Sequence, residues 1–261
     1  MISSEMFYKE DDVVSYYTNT TTLRKPEETI LGVLKKNLPS MRMLDLGVGA
    51  GRTTSFFAPL VKEYVGIDYS EKMVAACTAR FQGSPGRIRF ALCDARNMGI
   101  FEDDYFDFLL FSLNGLDYVS HADRLQTLKE IHRVGQAGGY FCFSSHNLQW
   151  VPAFLDLRRQ FTGGVKATIQ NLKRWALLRF IYNSGAMVRR ARCASYAVLK
   201  DGVHEYRLQH YFIRPAKQLE QLAEWFCDVE VYSATSGSRI EDLAKLDNVD
   251  DPWLYYLCRI K

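Results

Sequence analysis

The run "MLDLGVGAGRTT", Met43–Thr54, decides the fold. Glycines stand at alternate positions, Gly47, Gly49 and Gly51, directly after a short apolar segment that carries one acid, Asp45. A strand running through a glycine-rich turn into a helix presents backbone N–H groups to a ligand at the helix start. Two features argue that this ligand is not a phosphate. The spacing Gly-x-Gly-x-Gly misses the third glycine of the dinucleotide fingerprint, and no Lys-Ser/Thr pair follows, which excludes a P-loop. Asp45, expected at the mouth of the turn, would repel a pyrophosphate and attract an ammonium or sulfonium.

Outward from this run, apolar strands alternate with helical segments. "EYVGIDYS", "IRFALCDA", "FDFLLFSLNG" and "GYFCFSSHN" read as four further strands. "EETILGVLKKNLP", "EKMVAACTARFQ" (with Ser70 as its N-cap) and "HADRLQTLKEIHRVG" read as helices. Near-continuously apolar strands in such an alternation predict a parallel sheet covered on both faces. The rhythm breaks after the fifth strand. Residues 147–200 hold helical material, and "ASYAVLKDGVHEYRLQHYFI" reads as a hairpin about Asp201-Gly202, with His204 and His210 on one face. A helix and two strands after Pro215 restore the pattern. The expected organisation is a core with N-terminal helices over 1–146, an inserted α+β cap over 147–214, and closing core elements over 215–261.

Acids end three successive strands: Asp45, Asp68 (about 20 residues beyond the glycines) and Asp94. An acid at the second position accepts from both ribose hydroxyls, and one at the third can accept from the amine of an adenine. A ligand with a cationic head, a ribose and an adenine, and no phosphate, is S-adenosylmethionine. "LDLGVGAGRTT", "VGIDYSEKMV", "FALCDARNM" and "FDFLLFSLNGLDYV" resemble, in order and spacing, the four cofactor motifs of class I S-adenosylmethionine-dependent methyltransferases. The resemblance implies a Rossmann-like, doubly wound, seven-stranded sheet, mostly parallel with the last strand antiparallel. It implies S-adenosyl-L-methionine as cofactor and S-adenosyl-L-homocysteine as product. The cofactor-binding positions it implies are Asp45, Gly47, Gly49, Gly51 and Arg52 in the turn; Asp68, Tyr69, Ser70 and Met73; Asp94, Ala95 and Arg96; and Ser112 and Asn114. Tyr16 would close over the methionine end.

His146, after the fifth strand at the carboxyl edge of the sheet, is a candidate general base, and His210 on the hairpin is a second catalytic candidate. His121 and His132 read as helix-surface residues. The net charge of +3 conceals an asymmetry. Val151 to Arg214 carry twelve Lys and Arg against three acids, a local +9, so the remainder carries −6. This segment predicts attraction of an anionic or amphipathic small-molecule acceptor, methylated on oxygen or nitrogen, and a basic amphipathic stretch over 170–192 suits peripheral contact with a membrane. No RNA-binding module is present and nucleic acid is not the expected partner, although an RNA methyltransferase and a non-catalytic cofactor-binding sensor or scaffold remain alternatives. Six scattered cysteines form no CxxC pair and no His/Cys cluster, so neither disulfides nor a metal site is expected. An acidic, polar N-terminus without a signal-like apolar region places the protein in the cytoplasm.

Overall fold

The computed structural model describes residues 21–261 apart from Pro85 and Thr162, and His204, Glu205 and Asp247 for their backbone alone. Tyr16 lies outside the described residues. Helix α1 (Lys25–Leu34) has Pro26 in its first turn, where a missing N–H costs nothing, and buries Ile30 and Leu34 one turn apart. It leads into β1 (Arg42–Leu46), the glycine turn and a short helix α2 (Thr54–Phe57), which tightens into a 3-10 turn over Ala58–Leu60 around Pro59. The sequence suggested one longer helix here. Then follow β2 (Glu63–Asp68), α3 (Glu71–Arg80), β3 (Ile88–Leu92), β4 (Phe106–Phe111), α4 (His121–Val134) and β5 (Gly135–Asn147).

These five strands lie in the order β3-β2-β1-β4-β5, all parallel. Chain direction across the sheet reverses between β1 and β4, which leaves a crevice at their carboxyl ends where open α/β sheets bind ligands. After helix α8 (Pro215–Leu222), strands β8 (Phe226–Ser233) and β9 (Trp253–Ile260) close the sheet: β9 runs antiparallel to both β5 and β8. The seven mostly parallel strands that the motifs implied are present, within a sheet that two strands of the basic segment extend to nine. Alternate side chains enter two cores. Leu44, Leu46, Val65, Ile67, Phe141 and Phe143 pack on one face, and Met43, Tyr64, Phe108 and Cys142 on the other.

The basic segment supplies α5 (Val151–Phe154), α6 (Val165–Ala176, widening into a π turn over Leu177–Tyr182), α7 (Gly185–Ala191) and strands β6 (Tyr196–Leu199) and β7 (His210–Ile213). Its helices share a small apolar cluster of Leu148, Val151, Phe154, Leu178, Ala191, Leu199 and Phe212. The segment is also tied into the sheet. β7 pairs parallel with His146 and Asn147 at the end of β5, and β6 pairs antiparallel with β7. The predicted hairpin pairing is correct, but its tight turn at Asp201-Gly202 is not. Ten residues join the two strands, and His204 sits in the 3-10 turn Val203–Tyr206, so it shares no strand face with His210.

Candidate functional site

A cleft enclosing about 1040 Å³, part of it open to solvent, lies at the carboxyl ends of β1, β2 and β4. The glycine turn lines it with Gly47, Gly49 and Arg52, and the end of β2 adds Asp68, Tyr69 and, from α3, Met73. Asp94, Ala95 and Arg96 form the next wall, and Ser112 and Leu113 follow β4. Most residues expected at the cofactor therefore face one cleft. Gly115, Tyr118 and Val119 also line it and were not singled out from the sequence.

Three glycines of the turn have left-handed φ values, which only glycine adopts without strain. They differ in what their missing side chains allow. A Cβ on Gly49 would meet no atom within 4 Å, so the backbone itself forms the cradle there. On Gly51 a Cβ would stand 2.4 Å from Phe81 Cε2 and 3.1 Å from Cys77 Sγ. Gly51 is therefore a packing glycine, letting the turn press against α3, and it does not line the cleft. Gly51→Ala is expected to lower folding stability by roughly 1–3 kcal/mol, as overpacking does. An unchanged melting temperature would contradict this role.

Asp68 is nearly buried. Its Oδ2 accepts from Gly49 N (3.0 Å) and its Oδ1 from Ser70 N (2.9 Å). Burial raises its pKa, and backbone N–H groups of Ser70, Gly49 and Tyr69 partly oppose that rise. One carboxylate thus fixes the glycine turn and the start of α3 while facing the cleft. Ser70 occupies the N-cap position, but its side chain makes no capping bond to the helix.

Asp45 departs from expectation. It is 1% exposed and lies beneath the turn, not at its mouth. The two-residue alternation of β1 sends its side chain to the face that holds Met43 and Tyr64. There Oδ2 accepts from Thr53 Oγ1 and from Tyr64 OH, each at 2.5 Å. Burial pushes its pKa from 3.8 up to about 6 despite those bonds. A carboxyl raised on folding binds its proton more tightly in the native state, so it erodes stability as pH rises from about 4 through about 6. Asp45→Asn should remove that dependence. At 1.36 kcal/mol per pH unit, the variant should gain up to roughly 3 kcal/mol relative to the parent between pH 4 and 7. Parallel pH-stability curves for the two proteins would refute the assignment.

Arg52 faces the cleft with its charge already matched. It makes a forked pair with buried Glu27 (2.5 and 2.7 Å) and donates to Ser112 Oγ (2.9 Å), while Tyr255 OH donates to the same Glu27 (2.9 Å). Asp94 is likewise engaged. Arg96 Nε and Nη2 reach its oxygens at 2.6 to 3.0 Å; burial alone would raise its pKa, and the arginine holds it below the usual range. The sequence reading left Asp94 open for an adenine amine; the structure gives it a guanidinium partner on the cleft wall.

Asn114 does not line the cleft but adjoins it through Leu113 and Gly115. Leu113 and Asn114 both have left-handed backbone, φ 50° and 58°, a costly conformation of the kind that clusters at functional sites. Asn114 Nδ2 lies 3.2 Å from His146 Nε2. His146 Nδ1 donates to Asp117 Oδ2 (2.7 Å), and Asp117 is paired with fully buried Arg124 (2.5 Å). The His146 and His210 rings stand 5.1 Å apart, and Tyr118, a cleft residue, meets His210 edge-on at 4.8 Å. Asp201 joins the group, with Oδ1 3.1 Å from His210 Nδ1. The two candidate histidines, 64 positions apart in sequence, thus come together one side chain from the cleft. Asp117, Arg124 and Asp201 were missed, since nothing in their local sequence marks them. His121, expected to be a plain surface residue, stacks on Tyr196 at 4.3 Å and bonds Tyr211 OH at 2.8 Å, tying α4 to the β6–β7 ribbon.

A protein-family model described as a methyltransferase domain matches residues 43–139. The uncharacterized methyltransferase YcgJ of Bacillus subtilis is 32% identical over 109 residues, which span 40% of this chain and 40% of that protein. Among solved structures, an S-adenosylmethionine-dependent methyltransferase of Mesorhizobium loti shares the fold with a TM-score of 0.57 at 19% identity, covering 90% of this chain and 97% of the other. The 1,6-didemethyltoxoflavin-N1-methyltransferase of Burkholderia thailandensis, solved with 1,6-didemethyltoxoflavin and S-adenosylhomocysteine, matches with a TM-score of 0.60 at 15% identity, covering 99% and 86%.

Proposed function

We propose that the chain, whose residues 43–139 match a methyltransferase-domain model, is a class I S-adenosylmethionine-dependent methyltransferase that methylates an oxygen or nitrogen of a small-molecule, anionic or amphipathic acceptor. The observation that carries this reading is the cleft lined by the glycine turn, Asp68 and Ser112, with buried His146 and His210 one side chain away behind Tyr118. The residues fit the cofactor: Gly49 leaves a backbone cradle, Asp68 offers a carboxylate to a ribose, and Glu27 neutralises Arg52 at the end of the turn. Bound there, S-adenosylmethionine supplies an electrophilic sulfonium methyl. Ser112 and Leu113 border the methyl end. His146 and His210 are the catalytic groups in this reading, holding the acceptor's reacting atom in its nucleophilic form. Orientation alone supplies much of the acceleration in such a displacement, because lost entropy is prepaid in binding. The Burkholderia enzyme, solved with 1,6-didemethyltoxoflavin and S-adenosylhomocysteine, supports a small-molecule acceptor.

Segment 147–214 acts as the acceptor cap. Its stretch from 157 to 192 holds nine Lys and Arg and no acid, with Phe161, Val165, Ile169, Phe180 and Ile181 exposed. Exposed apolar side chains among basic ones suit an amphipathic acceptor and a peripheral hold on an anionic membrane better than they suit RNA. No helix of the described residues is long and apolar enough to cross a membrane, and all six cysteines are free.

The test uses methyl-labelled S-adenosylmethionine and an extract of the source cells. Label in the small-molecule or lipid fraction supports the proposal. Label in RNA or protein replaces the acceptor class, and no label despite tight S-adenosylhomocysteine binding favours a cofactor sensor.

A further inference from the structure

We propose that His146, Asp201 and His210 form a binding site for a divalent transition cation beside the cleft, behind its lining residue Tyr118. The three come from the end of β5, the β6–β7 connection and the start of β7, so no ligand spacing is visible in sequence. All three are buried, and one donor atom from each lies within 4.8 Å of the others. His146 Nε2 is 3.6 Å from Asp201 Oδ2, beyond hydrogen-bond reach, and His210 Nδ1 is 3.1 Å from Asp201 Oδ1. Ligands about 2.0–2.1 Å from a tetrahedral zinc stand about 3.3–3.4 Å from one another; the two carboxylate–imidazole distances bracket that value, and small side-chain adjustments would bring the full set, now within 4.8 Å, onto one ion.

The surroundings match such a site. Asp117 accepts from both the backbone N and Nδ1 of His146, each at 2.7 Å, which leaves Nε2 as the ring's lone-pair nitrogen, with Asn114 Nδ2 at 3.2 Å and Asp201 Oδ2 at 3.6 Å. A carboxylate behind a ligating imidazole is the usual outer support of a metal-bound histidine. Asp201 is held in turn by Val203 N at 2.9 Å. Asn114 adds a further donor: its Oδ1 is buried with no hydrogen-bond partner, and a half-turn of the amide would bring it to the Nδ2 position, 3.2 Å from His146 Nε2. Imidazoles with a carboxylate select zinc, manganese, iron or cobalt over magnesium or calcium. Three protein ligands leave a position for an oxygen of the acceptor. This inference rests on the reading of His146 and His210 as the groups that hold the acceptor, and it names what they hold it through.

Chelator-stripped full-length protein, titrated by calorimetry with Zn²⁺ and separately with Co²⁺ while visible absorption is recorded, tests it. One equivalent should bind with micromolar or tighter affinity, and Co²⁺ should give the intense bands of a low-coordinate site. Asp201→Asn and His210→Ala should each weaken binding at least tenfold, while His132→Ala, on the far side of α4, should not. S-adenosylhomocysteine affinity measured on the same samples separates the two readings. Normal cofactor binding without stoichiometric metal overturns the cation site alone; loss of cofactor binding with metal retained overturns the methyltransferase reading alone.

Discussion

Replacing Arg124 by methionine is expected to cost about 3–5 kcal/mol of folding stability, the usual result of removing one partner from a buried ion pair. Arg124 is 0% exposed although it sits on α4, whose mean composition is polar. Its Nη1 reaches Asp117 at 2.5 Å and the Leu116 carbonyl at 3.1 Å. Nη2 reaches Gln218 at 2.6 Å and Ser145 at 3.1 Å, Nε reaches Gln221 at 3.0 Å, and the guanidinium lies 4.7 Å over the Tyr211 ring. The one side chain thereby joins α4, the turn after β4, β5, β7 and α8. Methionine fills the space but leaves Asp117 a buried anion. Burial alone would raise the Asp117 pKa, and Arg124, backed by His146, holds it below the ordinary value. Urea unfolding at neutral pH reads the loss. The double variant with Asp117→Asn should be less destabilised than the two single changes added together, because the uncompensated charge is gone. A loss below about 1 kcal/mol for Arg124→Met would show that the pair is not what holds these elements together.

Asp68→Ala should weaken S-adenosylhomocysteine binding at least tenfold by calorimetry. Hydrogen bonds to a charged group contribute about 1.5–3 kcal/mol each, and tenfold needs only about 1.4. The same change frees Gly49 N and Ser70 N, so part of the loss comes from a loosened turn. Asp68→Asn distinguishes the contributions. It keeps one acceptor and most of the turn's support, yet it cannot accept from two ribose hydroxyls through two oxygens, so the melting temperature should recover further than the affinity does. A folded Asp68→Ala protein with parental affinity would remove Asp68 from the site.

The order of apolar strands and helices, the glycine turn and the acid ending β2 were legible in sequence because each is a local matter. A period of two or 3.6, a left-handed φ and an acid at a strand end are written within about ten residues of one another. Asp68, Gly49 and Ser112 therefore face the cleft as read. Asp45 shows where local reading stops: its place beside the glycines suggested the mouth of the turn, while the pleat of β1 and a hydroxyl from β2 committed it to the opposite face. Asp94 lines the cleft as well, with Arg96 two positions on bonded to its oxygens.

The acceptor end was decided by tertiary structure alone. Nothing in the sequence singled out Arg124 or Asp117, and Asp201 read as a turn residue. The side-chain partners of Arg124 lie 7 to 97 positions away in the chain, and only the pairing of β7 with the last two residues of β5 brings His210 against His146. Sequence determined the sheet and the cofactor's side of the cleft, because backbone geometry and strand-end chemistry are short-range. The buried polar cluster opposite was set by which distant groups had to satisfy one another once water was excluded.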